Sequence, residues 1–350
     1  MERAPRVCLV SEALGLPGDE GVRQFSRSLL DALRGLGPAW GLPVGQGRGG
    51  KGAMARLFAR SFLDRHLAQR LRALAPDLVV YLPSAAATIF SLWRARVLRA
   101  LCPGARVALI ALQPRRLGPL SRLLGRALRP TVAFAQAPWT MAPLRSLGCS
   151  VRFLPSGVDV QRFRPVSPEE KERLRHRHGL PRDEFLLLHV GHLKEGRNLQ
   201  ALRWAVPWAR PVLVAAASMG RDDALADSLV RETGAIVIDG YQPRIEELYQ
   251  ASDCYIFPVE RPDNAIDVPL SVLEAMACDL PVLAYPYGGL PLMFQQGYGL
   301  RYVTDWRELP RLLEEAHRLE TGGTRRLVLP YTWEEVARCL LAQALEVEGP

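Results

Sequence analysis

Short apolar runs alternate with amphipathic stretches along most of the chain. The runs are four to six residues long, which is typical of buried strands. They predict strands at residues 6–10, 78–82, 106–111, 131–135, 185–190, 235–238, 253–257 and 281–284. Apolar residues at helical spacing predict helices at residues 22–36, 167–178, 305–319 and 333–345. Because strands alternate with helices, the pattern predicts a doubly wound α/β fold with parallel sheets.

The stretch 253–294 is the most informative part of this pattern. After its first strand, a helix is predicted to begin near Pro269. Its apolar face is formed by Leu270, Leu273, Met276 and Ala277. Glu274 lies one position beyond Leu273 and is therefore directed toward the rim of the sheet. The next strand is followed by Gly288 and Gly289. A strand–helix–strand unit with glycines at its carboxyl edge predicts a site for a phosphorylated ligand.

A second candidate site is the loop at residues 191–198. It follows the strand at 185–190 and contains Gly191, Lys194 and Arg197. A helix is predicted directly after it, with an apolar face of Leu199, Leu202 and Ala205. A helix amino terminus presents free N–H groups and a partial positive charge, so this loop is suited to a diphosphate.

Length and composition indicate a globular protein of two domains. The chain has 350 residues, of which 48% are hydrophobic and 23% charged. The longest stretch without charge, residues 78–93, is broken by Pro83 and is too short to span a bilayer. The amino terminus enters a strand at once, which leaves no room for a signal peptide. Six dispersed cysteines without a CxxC pair or zinc spacing are typical of buried thiols in a reducing cytosol. We therefore expect a cytoplasmic protein without a metal site.

The charge is distributed unevenly. Residues 1–150 contain 22 Arg and Lys against 7 Asp and Glu, whereas the remainder contains 23 against 29. This asymmetry predicts that the amino-terminal half faces an anionic partner. Residues 51–77 are best explained as an amphipathic helix that covers a sheet. Residues 114–130 contain five arginines and no acid, which favours contact with an anionic membrane. Nucleic-acid binding is not favoured, because the basic residues are not interleaved with aromatic ones.

Three segments resemble the glycosyltransferase family 4 signature. The first runs from Glu274 through Ala275, Met276, Ala277 and Cys278 to Pro281, Val282, Gly288 and Gly289. The second is Pro155–Asp159 with Phe163 and Pro165, which resembles the family's interdomain segment. The third is Val190–Leu193 with Arg197–Leu199, which is similar to its phosphate loop. Together they cover roughly the last 200 residues.

The resemblance implies a GT-B fold, in which two Rossmann-like doubly wound domains face a cleft. We expect an acceptor-side domain at residues 1–160 and a donor domain at 161–330. A last helix at 331–350 would cross back to the first domain. Gly157 in the linking segment is expected to adopt a backbone conformation that other residues resist.

The resemblance also assigns roles to residues of the two candidate sites. It implies that Glu274 accepts the ribose hydroxyls of a nucleotide and that Arg197 neutralises the departing diphosphate without a metal. His192 occupies the position of a permanent cation in the family, and Gly191 precedes it. Lys194 either compensates for that change or is a solvated surface lysine.

Two family positions carry residues of another type. Ile266 replaces the first Glu of the family's E-x7-E pattern, so Asp267 or Asp263 is expected to hold the sugar hydroxyls. Otherwise backbone groups from Asn264 to Val268 hold them. Gln113 is the nearest polar residue where the family commonly has a histidine, and a glutamine cannot act as a general base.

The remaining positions of the implied donor site are weaker signals. They are Gly18 and Gly21 in the first glycine-rich turn, Tyr241 and Gln242 near the base pocket, and Leu270 at the helix start. The resulting hypothesis is a retaining glycosyltransferase that needs no cofactor. It would move a sugar from a UDP- or GDP-sugar to a glycan or lipid-linked acceptor at the inner face of the cell membrane. The alternative is a catalytically silent GT-B protein that acts as a scaffold, which the changes at Ile266, Gln113 and His192 motivate.

Overall fold

The structure is a computed structural model that describes residues 3–14, 21–44, 65–84, 86–115, 125–215, 222–319 and 321–346. The chain divides into two compact units. The first unit contains the residues up to Gly157, the tripeptide Ile266–Val268 and the residues from Trp333 onward. The second unit contains Val158–Ala265 and Pro269–Thr332. Changes of domain were predicted from the sequence at 160/161 and 330/331, and this division stays a prediction.

The regular elements of the described residues alternate as an α/β protein requires. The strands are β1 (Val7–Ser11), β2 (Ala39–Pro43), β3 (Leu78–Leu82), β4 (Arg106–Ala111), β5 (Val132–Ala135), β6 (Val151–Phe153), β7 (Leu186–Gly191), β8 (Arg210–Ala215), β9 (Ile236–Ile238), β10 (Cys254–Phe257), β11 (Val282–Ala284) and β12 (Leu300–Tyr302). The helices are α1 (Gly21–Leu36), α2 (Arg65–Leu74), α3 (Ile89–Leu101), α4 (Pro138–Ser146), α5 (Pro168–Arg177), α6 (Asp223–Thr233), α7 (Ile245–Ala251), α8 (Leu270–Ala277), α9 (Leu290–Met293), α10 (Leu309–His317), α11 (Arg325–Val328) and α12 (Trp333–Leu345). Short 3₁₀ helices lie at Arg126–Leu128, Leu199–Ala205 and Trp306–Glu308. Among the described residues, no helix has both the length and the apolar character needed to cross a bilayer.

The first unit is built on a parallel sheet in the order β2-β1-β3-β4-β5-β6. Strands β1, β3 and β5 are buried at every position, so both faces of the sheet are covered. The chain runs outward in both directions from the β1–β3 pair, whose register sets Val7 opposite Leu78. At such a reversal the loops diverge and leave a crevice at the carboxyl ends of the strands.

The last helix completes this first unit. α12 packs against α1, and the rings of Phe25 and Trp333 meet edge to face with their centroids 5.1 Å apart. Such a ring pair stabilises by about 1 kcal/mol beyond the burial of its surface. Phe25 and Leu340 are fully buried. The apolar face of α1 is thus covered by residues more than 300 positions further along the chain.

Gly157 is required for a reason that differs from the one expected. Its backbone is not in the left-handed region. Instead, a Cβ at this position would lie 2.7 Å from Cδ2 of Trp333 and 2.8 Å from its Cα. The expectation of an unusual conformation is therefore wrong, and the close approach of Trp333 explains the glycine.

The second unit contains a parallel sheet in the order β12-β11-β10-β7-β8-β9. β10 lies between β7 and β11, with Tyr255 paired to Leu188 on one side and to Val282 on the other. The chain order reverses between β7 and β10, so the crevice of this sheet opens between their carboxyl ends. The predicted loop at residues 191–198 follows β7, and the segment that leads to α8 follows β10. The prediction of two parallel-sheet α/β halves is confirmed.

Helix α8, which carries Glu274, is fixed by the segment that follows α10. The Thr324 hydroxyl donates to the Leu280 carbonyl at 2.8 Å. Arg325 donates to the carbonyls of Phe163 and Val160 at 2.9 and 2.8 Å and also bonds the Ala277 carbonyl. The bond to Ala277 satisfies a carbonyl at the carboxyl end of α8, where the last carbonyls have no partner within the helix. The other bonds tie this end of the helix to the segments around Val160, Phe163 and Leu280.

Candidate functional site

Arg197 is the central cation of the second unit's crevice. Its side chain is only 6% exposed, and its Nη2 donates to the Asn264 carbonyl at 2.6 Å. A Cβ on Gly191 would lie 2.5 Å from Arg197 Nη1. A glycine at the end of β7 is thus what allows the guanidinium to pack against the backbone there. Gly191 and Arg197, which the sequence predicts to belong to one loop, therefore lie against each other in the structure.

No anionic side chain neutralises Arg197 among the residues that the structure describes. Its Nε is buried without a hydrogen-bond partner in that part of the chain. Burial lowers the pKa of Arg197, but arginine stays protonated in proteins. A buried cation without a counter-ion is costly, and an anionic ligand removes that cost. This geometry is what a diphosphate site requires.

His189 lies beside this guanidinium on β7. It is fully buried, and its Nδ1 is 3.1 Å from the Ile256 carbonyl, which can only accept a hydrogen bond. Nδ1 therefore carries the proton and Nε2 is left as an acceptor. Burial lowers the pKa of His189 to about 4, and the Arg197 charge adds to the effect. His189 is neutral at physiological pH and leaves Arg197 as the fixed positive charge.

The loop after β10 is held to the Arg197 loop by several bonds. Asn264 Nδ2 donates to the Gly196 carbonyl at 2.6 Å, and Asn198 Nδ2 donates to Glu260 at 2.6 Å. The Tyr287 hydroxyl is 3.0 Å from the carbonyls of both Pro262 and Ala265 and accepts from the Ala265 N–H at 3.2 Å. The two loops therefore form one preorganised rim.

Glu274 lies on α8, the helix that follows β10 in the chain. Its Oε2 accepts a hydrogen bond from the Tyr249 hydroxyl at 2.8 Å. Burial raises the pKa of Glu274 to about 7, against a smaller lowering by that bond and by the charge of Arg162. The pKa of Tyr255 on β10 is raised by burial and by Glu274 and is lowered slightly by Arg197. Both charges therefore act on the Tyr255 side chain.

Asp267 is fully occupied by partners in the first unit. Its Oδ1 accepts from Trp139 Nε1 at 2.7 Å and its Oδ2 accepts from the Thr140 hydroxyl at 2.5 Å. Its N–H donates to the Leu112 carbonyl at 2.7 Å, and no part of the residue is exposed. Ile266, 5% exposed, lies against the first turn of α1, where a Cβ on Gly21 would be 3.4 Å from its Cδ1. The role of Asp267 at a sugar stays a prediction.

The other expected site residues are less constrained. Tyr241 is 64% exposed, and Gln242 donates to the Asp239 carbonyl at 3.1 Å. His192 and Lys194 are partly buried in the loop after β7, and Leu270 is 7% exposed at the start of α8. Gln113 is partly buried just after β4. Gly18 lies outside the described residues. Their roles stay predictions.

The helix expected after the Arg197 loop is not an α-helix. Leu199–Ala205 is a seven-residue 3₁₀ helix, and Asn198 before it has a left-handed backbone with φ of 55°. A single short 3₁₀ helix does not align enough peptide dipoles to act as the expected phosphate-binding terminus. The positive charge at this rim therefore comes from the Arg197 side chain.

Sequence reasoning missed three polar side chains that make hydrogen bonds in the structure. Tyr249 and Tyr287 gave no signal, because an isolated tyrosine is typical of an ordinary core aromatic. Glu12 follows β1 at the reversal point of the first sheet, where it accepts from the Tyr81 hydroxyl at 3.0 Å and pairs with Arg94. A polar residue directly after a buried strand was the available signal for Glu12.

The buried Asp267 carboxyl gives a test that does not depend on activity. Burial raises its pKa from 3.8 to about 7, and the bonds from Thr140 and Trp139 offset part of that shift. The folded state thus binds one more proton than the unfolded state between about pH 4 and 7, so stability falls as the pH rises through this window. We therefore expect the free energy of unfolding of Asp267→Asn, relative to that of the native chain, to be about 3 kcal/mol higher at pH 8 than at pH 5. Urea unfolding at the two pH values measures this difference.

The matched control for this prediction is Asp227→Asn. Asp227 is exposed on α6, so its substitution is expected to change the unfolding free energy equally at both pH values. A stability difference between Asp267→Asn and the native chain that does not vary with pH would contradict the prediction.

Comparisons with known proteins agree with the fold of the second unit. Residues 184–318 match the family model described as Glycosyl transferases group 1. The putative glycosyltransferase EpsD of Bacillus subtilis (strain 168) is 32% identical over 138 residues, 37% of this chain and 34% of that protein. A GDP-mannose-dependent monoacylated alpha-(1-6)-phosphatidylinositol monomannoside mannosyltransferase of Corynebacterium glutamicum is 30% identical over 187 residues, 50% of this chain and 48% of that protein. The chain spans less than half of the length of each of these two relatives.

A solved structure extends the likeness to the first unit. The crystal structure of Anabaena HepE in complex with UDP and glucose is similar with a TM-score of 0.69, over 98% of this chain and 100% of that chain. The sequences are 15% identical, so this likeness shows the fold. The predicted GT-B architecture and the resemblance to glycosyltransferases are confirmed.

Proposed function

Because residues 184–318 form a Glycosyl transferases group 1 domain, we propose that the protein is a glycosyltransferase with a nucleotide-sugar donor. The observation that carries the proposal is Arg197, a buried guanidinium without an acidic partner in the described residues, at the reversal point of a parallel sheet. UDP is bound in the similar HepE structure, and the corynebacterial relative is named for GDP-mannose. A nucleoside diphosphate is therefore the ligand class.

We propose that Arg197 binds the diphosphate and that Glu274 accepts the ribose hydroxyls. A guanidinium offers a bidentate fork to phosphate oxygens, and an ionised carboxylate accepts two hydroxyl donors. Asn264 and the rim fixed by Tyr287 would position the sugar. Catalysis would rest on charge stabilisation of the leaving diphosphate and on positioning. The proposal includes transfer of a hexose with retention and without a metal.

The acceptor is proposed to be a glycan or a lipid-linked molecule at an anionic membrane surface. Support comes from the excess of 22 Arg and Lys over 7 Asp and Glu in residues 1–150. The corynebacterial relative is named for a phosphatidylinositol monomannoside acceptor, which is a lipid. This arrangement would place the protein at the cytoplasmic face of the cell membrane.

The direct test is nucleotide release from a panel of UDP- and GDP-sugars. We expect one donor to be hydrolysed slowly without acceptor, and this release to be lowered in Arg197→Ala through kcat and in Glu274→Ala through KM. Calorimetry with UDP and GDP gives an independent measurement of binding. If the intact protein neither binds a nucleotide nor releases one, the glycosyltransferase proposal is wrong.

A scaffold function is the second candidate. It is favoured by Ile266, which is buried against Gly21, and by Asp267, whose carboxylate is bound by Trp139 and Thr140. These residues leave no acidic group at the position of the family's first Glu. Nucleotide binding without turnover on any donor and acceptor tested would favour this candidate.

A further inference from the structure

A basic cavity of about 530 Å³ lies at the amino-terminal edge of the first unit's sheet. Its lining includes Arg96, Arg99, Arg129, Thr131, Gly148 and Ser150. Arg96 and Arg99 are three positions apart on α3, so they share one face of that helix. The other lining residues precede β5 and β6. The cavity therefore lies at the edge opposite the carboxyl ends of these strands, and its size is that of a small-molecule site.

The chain supplies no acid near this cavity in sequence. Between Asp77 and Asp159 there is no Asp or Glu, whereas the same stretch contains 11 arginines. All of the lining residues come from this stretch. A surface helix usually pairs its arginines with acids at neighbouring turns, as Arg311 does with Glu315 on α10. Arg96 and Arg99 have no such partner available on α3, which contains no acidic residue.

The side chains of the cavity are arranged to receive an anion. In the described part of the chain, neither Arg96 nor Arg99 makes an ion pair or a side-chain hydrogen bond. Arg129 is fixed at the rim, because its Nη1 donates to the Gly148 carbonyl at 3.1 Å. The Thr131 hydroxyl accepts the Val107 N–H at 3.2 Å, which orients its own O–H away from that bond. Three guanidinium groups and a hydroxyl donor thus surround one cavity.

We propose that this cavity is a binding site for a phosphate group, either of a soluble phosphate ester or of a phospholipid headgroup. Like charges held together repel one another, and a phosphate anion that bridges them replaces repulsion by charge-assisted hydrogen bonds. Arginine suits this chemistry because its fork matches the phosphate oxygens. The site uses residues of the first unit alone and is distinct from the Arg197 and Glu274 residues of the proposed donor site.

The soluble arm of the test uses inorganic pyrophosphate and calorimetry. It is carried out on the full chain with Arg197→Gln, so that the proposed donor site does not contribute. We expect this protein to bind pyrophosphate with an affinity that falls as salt is added. Adding Arg96→Ala and Arg99→Ala is expected to weaken binding by about tenfold or more. Adding Arg96→Lys and Arg99→Lys is expected to keep part of the affinity, which controls for loss of folding.

The lipid arm uses flotation with phosphatidylcholine vesicles that contain phosphatidic acid. Loss of vesicle binding in Arg96→Ala/Arg99→Ala, and its competition by pyrophosphate, would support a headgroup as the ligand. A soluble phosphate ester would be supported by two results together. Vesicle binding would be unchanged in Arg96→Ala/Arg99→Ala and in the presence of pyrophosphate, and pyrophosphate binding would require both arginines.

The matched control is Arg145→Ala, an exposed arginine on α4 from the same stretch without acids that does not line the cavity. We expect it to change pyrophosphate affinity less than twofold. The proposal is overturned if the Arg197→Gln chain binds neither probe. It is also overturned if Arg145→Ala weakens binding as much as the cavity variant does, because the effect would then be general charge.

Discussion

Replacing Arg197 with glutamine is expected to lower kcat for sugar transfer by about 10²–10³-fold. The guanidinium is buried at 6% exposure and lacks a carboxylate partner in the described residues, so the diphosphate would meet its full charge. Glutamine is too short to keep the bond to the Asn264 carbonyl, which Arg197 makes through Nη2 at 2.6 Å. Native-like thermal unfolding of the variant would assign the loss to the charge and not to a collapsed loop. The measurement is steady-state nucleotide release with the donor found in the panel.

Arg203→Gln is the control for this variant. Arg203 is exposed on the 3₁₀ helix that follows the same loop. Among the described residues, its side chain bonds only the nearby Gln200 carbonyl. We expect its kcat to stay within twofold of the native value. If Arg197→Gln keeps native turnover, then Arg197 does not stabilise the leaving group and the proposed mechanism is incorrect.

Replacing Glu274 with alanine is expected to weaken nucleotide binding by about 10- to 100-fold, since hydrogen bonds to a charged acceptor are lost. The effect should appear in Kd for the nucleoside diphosphate and in KM for the donor, whereas kcat should change less. Ribose contacts are present in both the ground state and the transition state, so they act on binding. Calorimetry with the nucleotide measures this directly.

The pH dependence of binding gives a second measurement on the same residue. Because burial raises the pKa of Glu274 to about 7, we expect donor affinity to increase as the pH rises through 7 and the carboxyl ionises. The Tyr249 bond lowers that pKa, so Tyr249→Phe should move the midpoint to higher pH. Glu314→Ala, at a side chain that is 44% exposed and pairs with Arg318, is the control and should leave the profile unchanged. A flat profile in the native chain would contradict the role of Glu274.

Most strands with neighbours on both sides were predicted from the sequence, but β8, which lies between β7 and β9, was not. β3 and β4 have the predicted bounds, because a central parallel strand must be apolar on both faces. β2 and β6 were not predicted. They lie at the two edges of the first sheet and are only partly buried, and β2 contains Gly41 and ends at Pro43. Edge strands need less apolar surface, so their pattern is weaker.

The features of the site that the sequence did not predict have a similar physical explanation. Leu199, Leu202 and Ala205 are spaced by three residues, which fits a 3₁₀ helix as well as an α-helix over so short a segment. That Arg197 and Glu274 lie on one crevice was predicted from local motifs and stays a prediction. By contrast, the partners of Asp267 come from residues 127 and 128 positions away, which local patterns cannot show.

The composition of the first unit has a consequence for how the chain is made. This unit needs α12, whose Trp333 covers Phe25, and it needs the tripeptide Ile266–Val268. During synthesis on the ribosome, its sheet can therefore form early, but its outer layer stays incomplete until residues 333–345 have emerged. The nascent protein must keep the exposed side of α1 from aggregating until then, and a chain stopped before residue 333 would never close it.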